Sequence, residues 1–166
     1  MTEDALAVIE NKDANEAELS KALQSVGEID KGPEFWKHIA SDPSYRETHR
    51  ARCAIQLFQR HVPPGTSLGE LAELLSNPNW VADEDIEIVR HLRGEVPVTW
   101  NNEDTVISLR LFPQLAGVSA FAIYLRIAGK VDRGGFVDLL RGRETGETIR
   151  EAKILEVGCI EPYQAP

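Results

Sequence analysis

The chain has 166 residues, 42% of them hydrophobic and 27% charged, a balance that allows one domain with a substantial core and excludes disordered and fibrous classes. Its net charge of −9 excludes a protein built to grip phosphate backbones, because that affinity comes from Lys and Arg displacing counterions. Two cysteines make no disulfide framework.

The N-terminal "MTEDALAVIE" has neither a basic region nor a long apolar run, so no signal peptide and no membrane span are expected. A cytoplasmic protein is the expectation; a secreted or periplasmic one whose leader had been replaced by Met1 would read the same. Leu6, Ile9, Ala17, Leu19, Ala22, Leu23 and Val26 recur at helical spacings up to Gly27, giving a short helix and a longer one. Pro33 opens another helix around Phe35, Trp36 and Ile39, which "SDPS" breaks. From about Ser44 to His61 a long helix carries Ala51, Ala54, Ile55, Phe58 and Val62 on one stripe, with Cys53 and Leu57 beside it, and Pro63, Pro64 and Gly65 end it.

In "VPPGTSLGELAELLSNPNW" Ser67 is placed as an N-cap with Glu70 three residues on, a capping box. Leu68, Leu71, Leu74 and Leu75 form a stripe that stops at "SNPN", where Asn77 precedes a proline. Such a short helix does not persist alone, so it must dock on something. Strand-like runs follow at Glu87 to Leu92, Glu95 to Trp100 and Thr105 to Phe112, and then in "SAFAIYLRIAG". The last two alternate with period two, Ile107, Leu109 and Leu111 on one and Phe121, Ile123, Leu125 and Ile127 on the other. They read as an antiparallel pair whose apolar face needs a helix over it, and the short leucine helix is the expected cover. "DRGGFVDLLRGR" reads as a brief helix around Phe136 to Leu140, and "TIREAKILEVGCIE" as a last strand with apolar residues on both faces. The expected fold class is α+β: a helical section over 1–62, then a module over 63–166 with one capped helix and an antiparallel sheet of about four strands, packed as one unit.

The middle of the chain resembles the SmpA/OmlA family of β-barrel assembly lipoproteins and the related modules of β-lactamase inhibitor proteins. In that family a Gly-Met-Thr turn opens a helix and a Leu-Gly-x-Pro turn closes it before a sheet. Here Gly65, Thr66 and Ser67 stand at the opening and Leu75, Ser76, Asn77 and Pro78 at the close. Thr66 replaces the methionine and Ser76 the glycine, and the resemblance spans about residues 63–127. It implies a non-catalytic module that works by binding another protein.

The chemical inventory points the same way. His49, Cys53 and His61 share one helix, but neither CxxC nor HExxH spacing occurs, so no metal and no cofactor are expected. Cys53 sits in an apolar stripe, which argues against a nucleophile. "DEDIE", Asp83 to Glu87, reads as a solvated acidic loop, and "DRGGF" holds too little of a phosphate-loop pattern. Charge is segregated: residues 1–31 carry eight acids and three bases, 32–62 three and five, 63–104 nine and two, and 105–166 seven and eight. The acidic third segment suggests a face for another, basic, protein, with Trp80, Asp83, Glu84, Asp85, Trp100 and Tyr124 as candidate contacts. The other reading is a small enzyme with His49, His61 or His91 as acid/base in a cleft between the helical section and the sheet. Nothing in the sequence sets an oligomeric state.

Overall fold

The computed structural model describes residues 2–89, 103–115 and 121–162. Among them the chain runs α1 (Thr2–Glu10), α2 (Glu16–Val26), α3 (Pro33–Ser41), α4 (Glu47–His61), α5 (Leu68–Leu75), β1 (Ile86–Ile88), β2 (Thr105–Leu111), β3 (Phe121–Ile127), α6 (Arg133–Leu140), α7 (Glu147–Glu151) and β4 (Ile154–Ile160). The fold is α+β. All four strands pair antiparallel in the order β1-β2-β3-β4.

The N-terminal helices form two packed pairs, α1 on α2 and α3 on α4. Both α2 and α5 start from capping boxes. Asn15 accepts from the Glu18 amide while the Glu18 carboxylate accepts from the Asn15 amide, and Ser67 and Glu70 do the same. The α5 box is as expected; the α2 box shows that "NEAE" carries the same signal. At the far end of α5, Ser76 and Asn77 both adopt the left-handed conformation, φ 51° and 56°, which a glycine takes without steric cost.

One hydrophobic core joins the helical section to the sheet: Trp36, Ile55, Leu57 and Phe58 lie in the same buried cluster as Ile107, Leu109, Ile123 and Leu125. The helices lying closest on the sheet are α4, over β3 and β4, and α6, against β1, whereas α5 packs mainly on α6 and α7. This corrects the expectation that α5 is the cover. Its Leu71 and Leu75 are buried in the common core but Leu74 is only half-buried. The 15-residue α4 lies over β3 and β4, and the eight-residue α5 sits beside α6 and α7 at the flank.

The apolar residues on both faces of the last strand also have an explanation. Residues 148–151, which the sequence assigns to that strand, belong to α7, so β4 begins at Ile154. A register shift between Arg126 and Ile127 pairs Ile127 with Ile154 but Arg126 with Glu156, leaving Leu155 as an extra residue. The bulge switches faces, so Ile154 points into the core before it and Val157 and Cys159 pack on the core after it. The expected strand over 95–100 lies outside the described residues, and of Glu87 to Leu92 only the start falls in β1.

Candidate functional site

The predicted contact residues do not stay together. Trp80 is 1% exposed and meets the Phe58 ring edge-on at 6.0 Å, so it is a core residue and no contact. Its place beside a turn suggested exposure; what buries it is a clamp from α6. Arg141 Nε donates to Asp83 Oδ1 at 2.6 Å, and the rest of its guanidinium donates to Asn77 Oδ1 and to the carbonyls of Pro78 and Val81. One helical turn pair away, Arg133 donates to the carbonyls of Ile86 and Asp83. Together they fix residues 77–86 over Trp80.

Asp83 therefore belongs to the fold. The Arg141 hydrogen bond, followed by the charges of Arg141, Arg143 and Arg133, holds its carboxyl below the usual range despite some burial. Glu84 and Asp85, in the same one-turn 3-10 helix as Asp83, and Glu87 form no ion pair among the described residues, and Glu84 and Glu87 are exposed. Burial first, and then the charges of Glu84 and Glu87, push the Asp85 carboxyl up, against partial relief from Arg110. Tyr124 is half-buried and packs with Val106 on the outer face of the sheet. The strand register puts Glu87, Ser108 and Tyr124 in one row across that face, so Tyr124 and the acidic edge share a side. Trp100 lies outside the described residues.

Two of the three histidines of the enzyme reading, His49 and His61, lie among the described residues, and each bridges two parts of the chain. His49 is fully buried, and its Nε2 donates to the Ile9 carbonyl at 2.7 Å. Because a carbonyl only accepts, the proton sits on Nε2, and the buried Nδ1 has no partner. Burial, then the Arg46 charge, pulls its pKa down although the Ile9 bond favours the cation. The ring is a neutral prop holding α1 on α4. His91 lies outside the described residues.

His61 is the one with a site around it. Its Nε2 donates to Asp30 Oδ2 at 2.6 Å, and Asp30 Oδ1 accepts from Trp36 Nε1 at 2.6 Å and from the Gly32 amide at 3.1 Å. Burial opposes the Asp30 charge, but these donors outweigh it and its carboxyl lies below the ordinary value. A groove of about 490 Å³ runs beside them, lined by Glu28, Gln56, Gln59 and Arg60 among others. An imidazole held by a carboxylate is the orienting half of a proton-transfer pair. Here the same carboxylate also ties down Trp36, while Arg60 donates to the carbonyls of Gly27 and Ile29 and stacks on the Trp36 ring at 4.9 Å. The group fastens the α2–α3 loop to the end of α4. Sequence reasoning named His61 but missed Asp30, Trp36, Arg133 and Arg141; Asp30 lies 31 residues from His61, and the two arginines lie 47 to 64 residues from their partners, beyond any periodic signal.

Both cysteines are free, and burial raises their pKa values, that of Cys159 to about 12, so neither presents a thiolate. Among the described residues no cluster of His, Cys, Asp and Glu is arranged to hold a metal ion, and no helix is long and apolar enough to cross a membrane. Comparison with protein-family models, with curated proteins and with solved structures finds no significant match.

Proposed function

We propose that the chain is a non-enzymatic protein-binding or inhibitory module that meets a basic partner through Glu84, Asp85 and Glu87, with Tyr124 on the same face. The observation that carries this reading is the unequal use of the acidic third segment. Glu73, Asp83 and Asp104 are each paired with an arginine of the last segment, while Glu84, Asp85 and Glu87 form no ion pair among the described residues, with Arg110 giving Asp85 only partial relief. Like charges held together cost stability, and a positive partner removes that cost on binding. The structural use of His49 and His61 supports the non-enzymatic side of the reading, and so does the resemblance of residues 63–127 to the SmpA/OmlA family.

The test is affinity capture with the intact chain from a lysate of its native host. At about 0.1 M salt a basic protein is retained and is lost toward 1 M, as the Debye length falls from about 10 Å to about 3 Å. Reversing Glu84, Asp85 and Glu87 to lysine abolishes retention while the denaturation midpoint holds. Asp83 is left out of the reversal because it belongs to the Arg141 clamp. Retention by the triple variant, or capture that ignores salt, overturns the reading.

A further inference from the structure

The edge of the sheet at β4 is built differently from the edge at β1. Among the described residues β1 is three residues long, a length that blunts an edge, whereas β4 has seven, ILEVGCI. Only its first residue is covered on the outer side: the Ile154 amide donates to the Thr66 carbonyl at 2.8 Å, and its carbonyl accepts from the Gly65 amide at 2.7 Å. Ser67 bridges to Lys153 just before it. From Leu155 to Ile160 no backbone partner lies beyond β4 among the described residues.

An open edge strand templates further pairing unless lysine, proline, a bulge or an inward charge blunts it. The stretch 156–160 holds neither lysine nor proline, and the bulge at Leu155 lies at the end that residues 65–67 already cover. Its one charge, Glu156, turns toward Arg126 on β3, Oε2 to Nε 3.7 Å, and does not guard the edge.

We infer that this edge pairs with the β4 edge of a second copy of the chain, antiparallel about a two-fold axis at Gly158. Centred there, Glu156 faces Ile160 and Val157 faces Cys159, so no like charges oppose each other. Centred on Cys159, Glu156 would meet Pro162, which has no amide to give. Gly158 is the residue that meets itself, and it has open space where a Cβ would stand. The charge along the edge agrees: between Leu155 and Ile160 the one charged residue is Glu156, and it is paired with Arg126. The net charge of −9 still repels at a distance, so salt strengthens self-association. A basic partner on the acidic edge gives the opposite salt dependence, and the two proposals stand or fall separately.

The test uses pure full-length protein in sedimentation velocity, from a few µM to about 500 µM, in 0.1 M and 1 M salt, the range over which mass action exposes a weak dimer. A monomer–dimer equilibrium is expected, tighter at the higher salt. Gly158→Lys fits the monomer, since the site is roomy and its backbone is not left-handed, and it sets two ammonium groups face to face at the axis. Dimerisation weakens by about ten-fold or more. Gly158→Glu does the same, and an equimolar mixture of the two variants restores association as a heterodimer. A monomer at every concentration in both salts overturns the inference; so does a Gly158→Lys variant that dimerises as well as the parent, or a mixture that restores nothing.

Discussion

Replacing Arg141 by methionine keeps much of the aliphatic stem and removes the guanidinium that holds residues 77–83. The side chain is 14% exposed and its nitrogens reach Asp83, Asn77 and two backbone carbonyls. Without it the carbonyls of Pro78 and Val81 lose a charged donor in part-buried surroundings, about 1 kcal/mol each at the net value of such bonds. Asp83, itself 41% exposed, is rewetted and its pair contributes about 0–1 kcal/mol. The expected loss is therefore about 2–3 kcal/mol out of a typical 5–15, which for a chain of this size lowers the Tm by roughly 5–10 °C. Urea denaturation followed by far-UV circular dichroism gives the free energy and calorimetry the Tm. Arg141→Lys restores little, because one ammonium cannot fork to four acceptors. Repeating the comparison in 1 M salt separates the terms, since screening removes the Asp83 contribution and leaves the carbonyl bonds. A loss below about 1 kcal/mol, or one that disappears entirely in high salt, refutes the clamp, because surface substitutions with no such role stay near ±0.5 kcal/mol.

Two further outcomes follow from single residues. His49 is neutral in the fold, with its pKa below the unfolded value of about 6.5; the unfolded chain thus takes up the proton first, and the stability His49 provides is full above that value and is lost as pH falls below it. The slope approaches about 1.4 kcal/mol per pH unit, and denaturation of the parent and of His49→Gln between pH 8 and pH 5 isolates it, equal slopes excluding the buried neutral ring. At Ser76, with φ 51°, glycine relieves the left-handed strain but gives up the hydroxyl's bonds with Lys37 and the Glu73 carbonyl. Ser76→Gly is thus neutral or stabilising by up to about 1 kcal/mol, while Ser76→Val costs more than about 1; the reverse order in urea denaturation contradicts the left-handed cap.

What the sequence made legible was whatever depends on neighbours in the chain. Ser67 and Glu70 lie three residues apart, so their capping box can be read directly, and the alternation of Ile107, Leu109 and Leu111 declares which face of β2 is buried. Which helix lies on the sheet is not local, and reading α5 as its cover took proximity in sequence for proximity in space. The bulge at Leu155 is likewise invisible beforehand, because one extra residue reverses the faces and makes a regular strand look irregular. For the candidate site, exposure was the property misjudged. Trp80 borders a turn, a place where indoles are often half exposed, but two arginines more than fifty residues further on close the turn over it.

The same long-range logic reinterprets the segregated charge. Each acidic segment finds its counter-charge mainly in the segment that follows: Glu16 meets Arg46 and Arg52, and Asp30 meets His61; Asp104 meets Arg126, Asp83 meets Arg141, and Glu73 meets Arg150. Arg52 also reaches Glu161 at the end of β4, which ties the first pair of segments to the second across the common core. An excess of nine acids over two bases in 63–104 is therefore no measure of acidic surface, since the arginines of the last segment neutralise much of it at short range. Those arginines serve particular acids through fixed geometry: Arg141 is committed to Asp83 and its flanking carbonyls, and Arg133 to the carbonyls of Ile86 and Asp83. Glu84, Asp85 and Glu87 lie within a few residues of these clamps and share in none of their hydrogen bonds. Among the described residues they form no ion pair, the Arg110 charge giving Asp85 partial relief, and this is what narrows a diffuse acidic segment to three named residues.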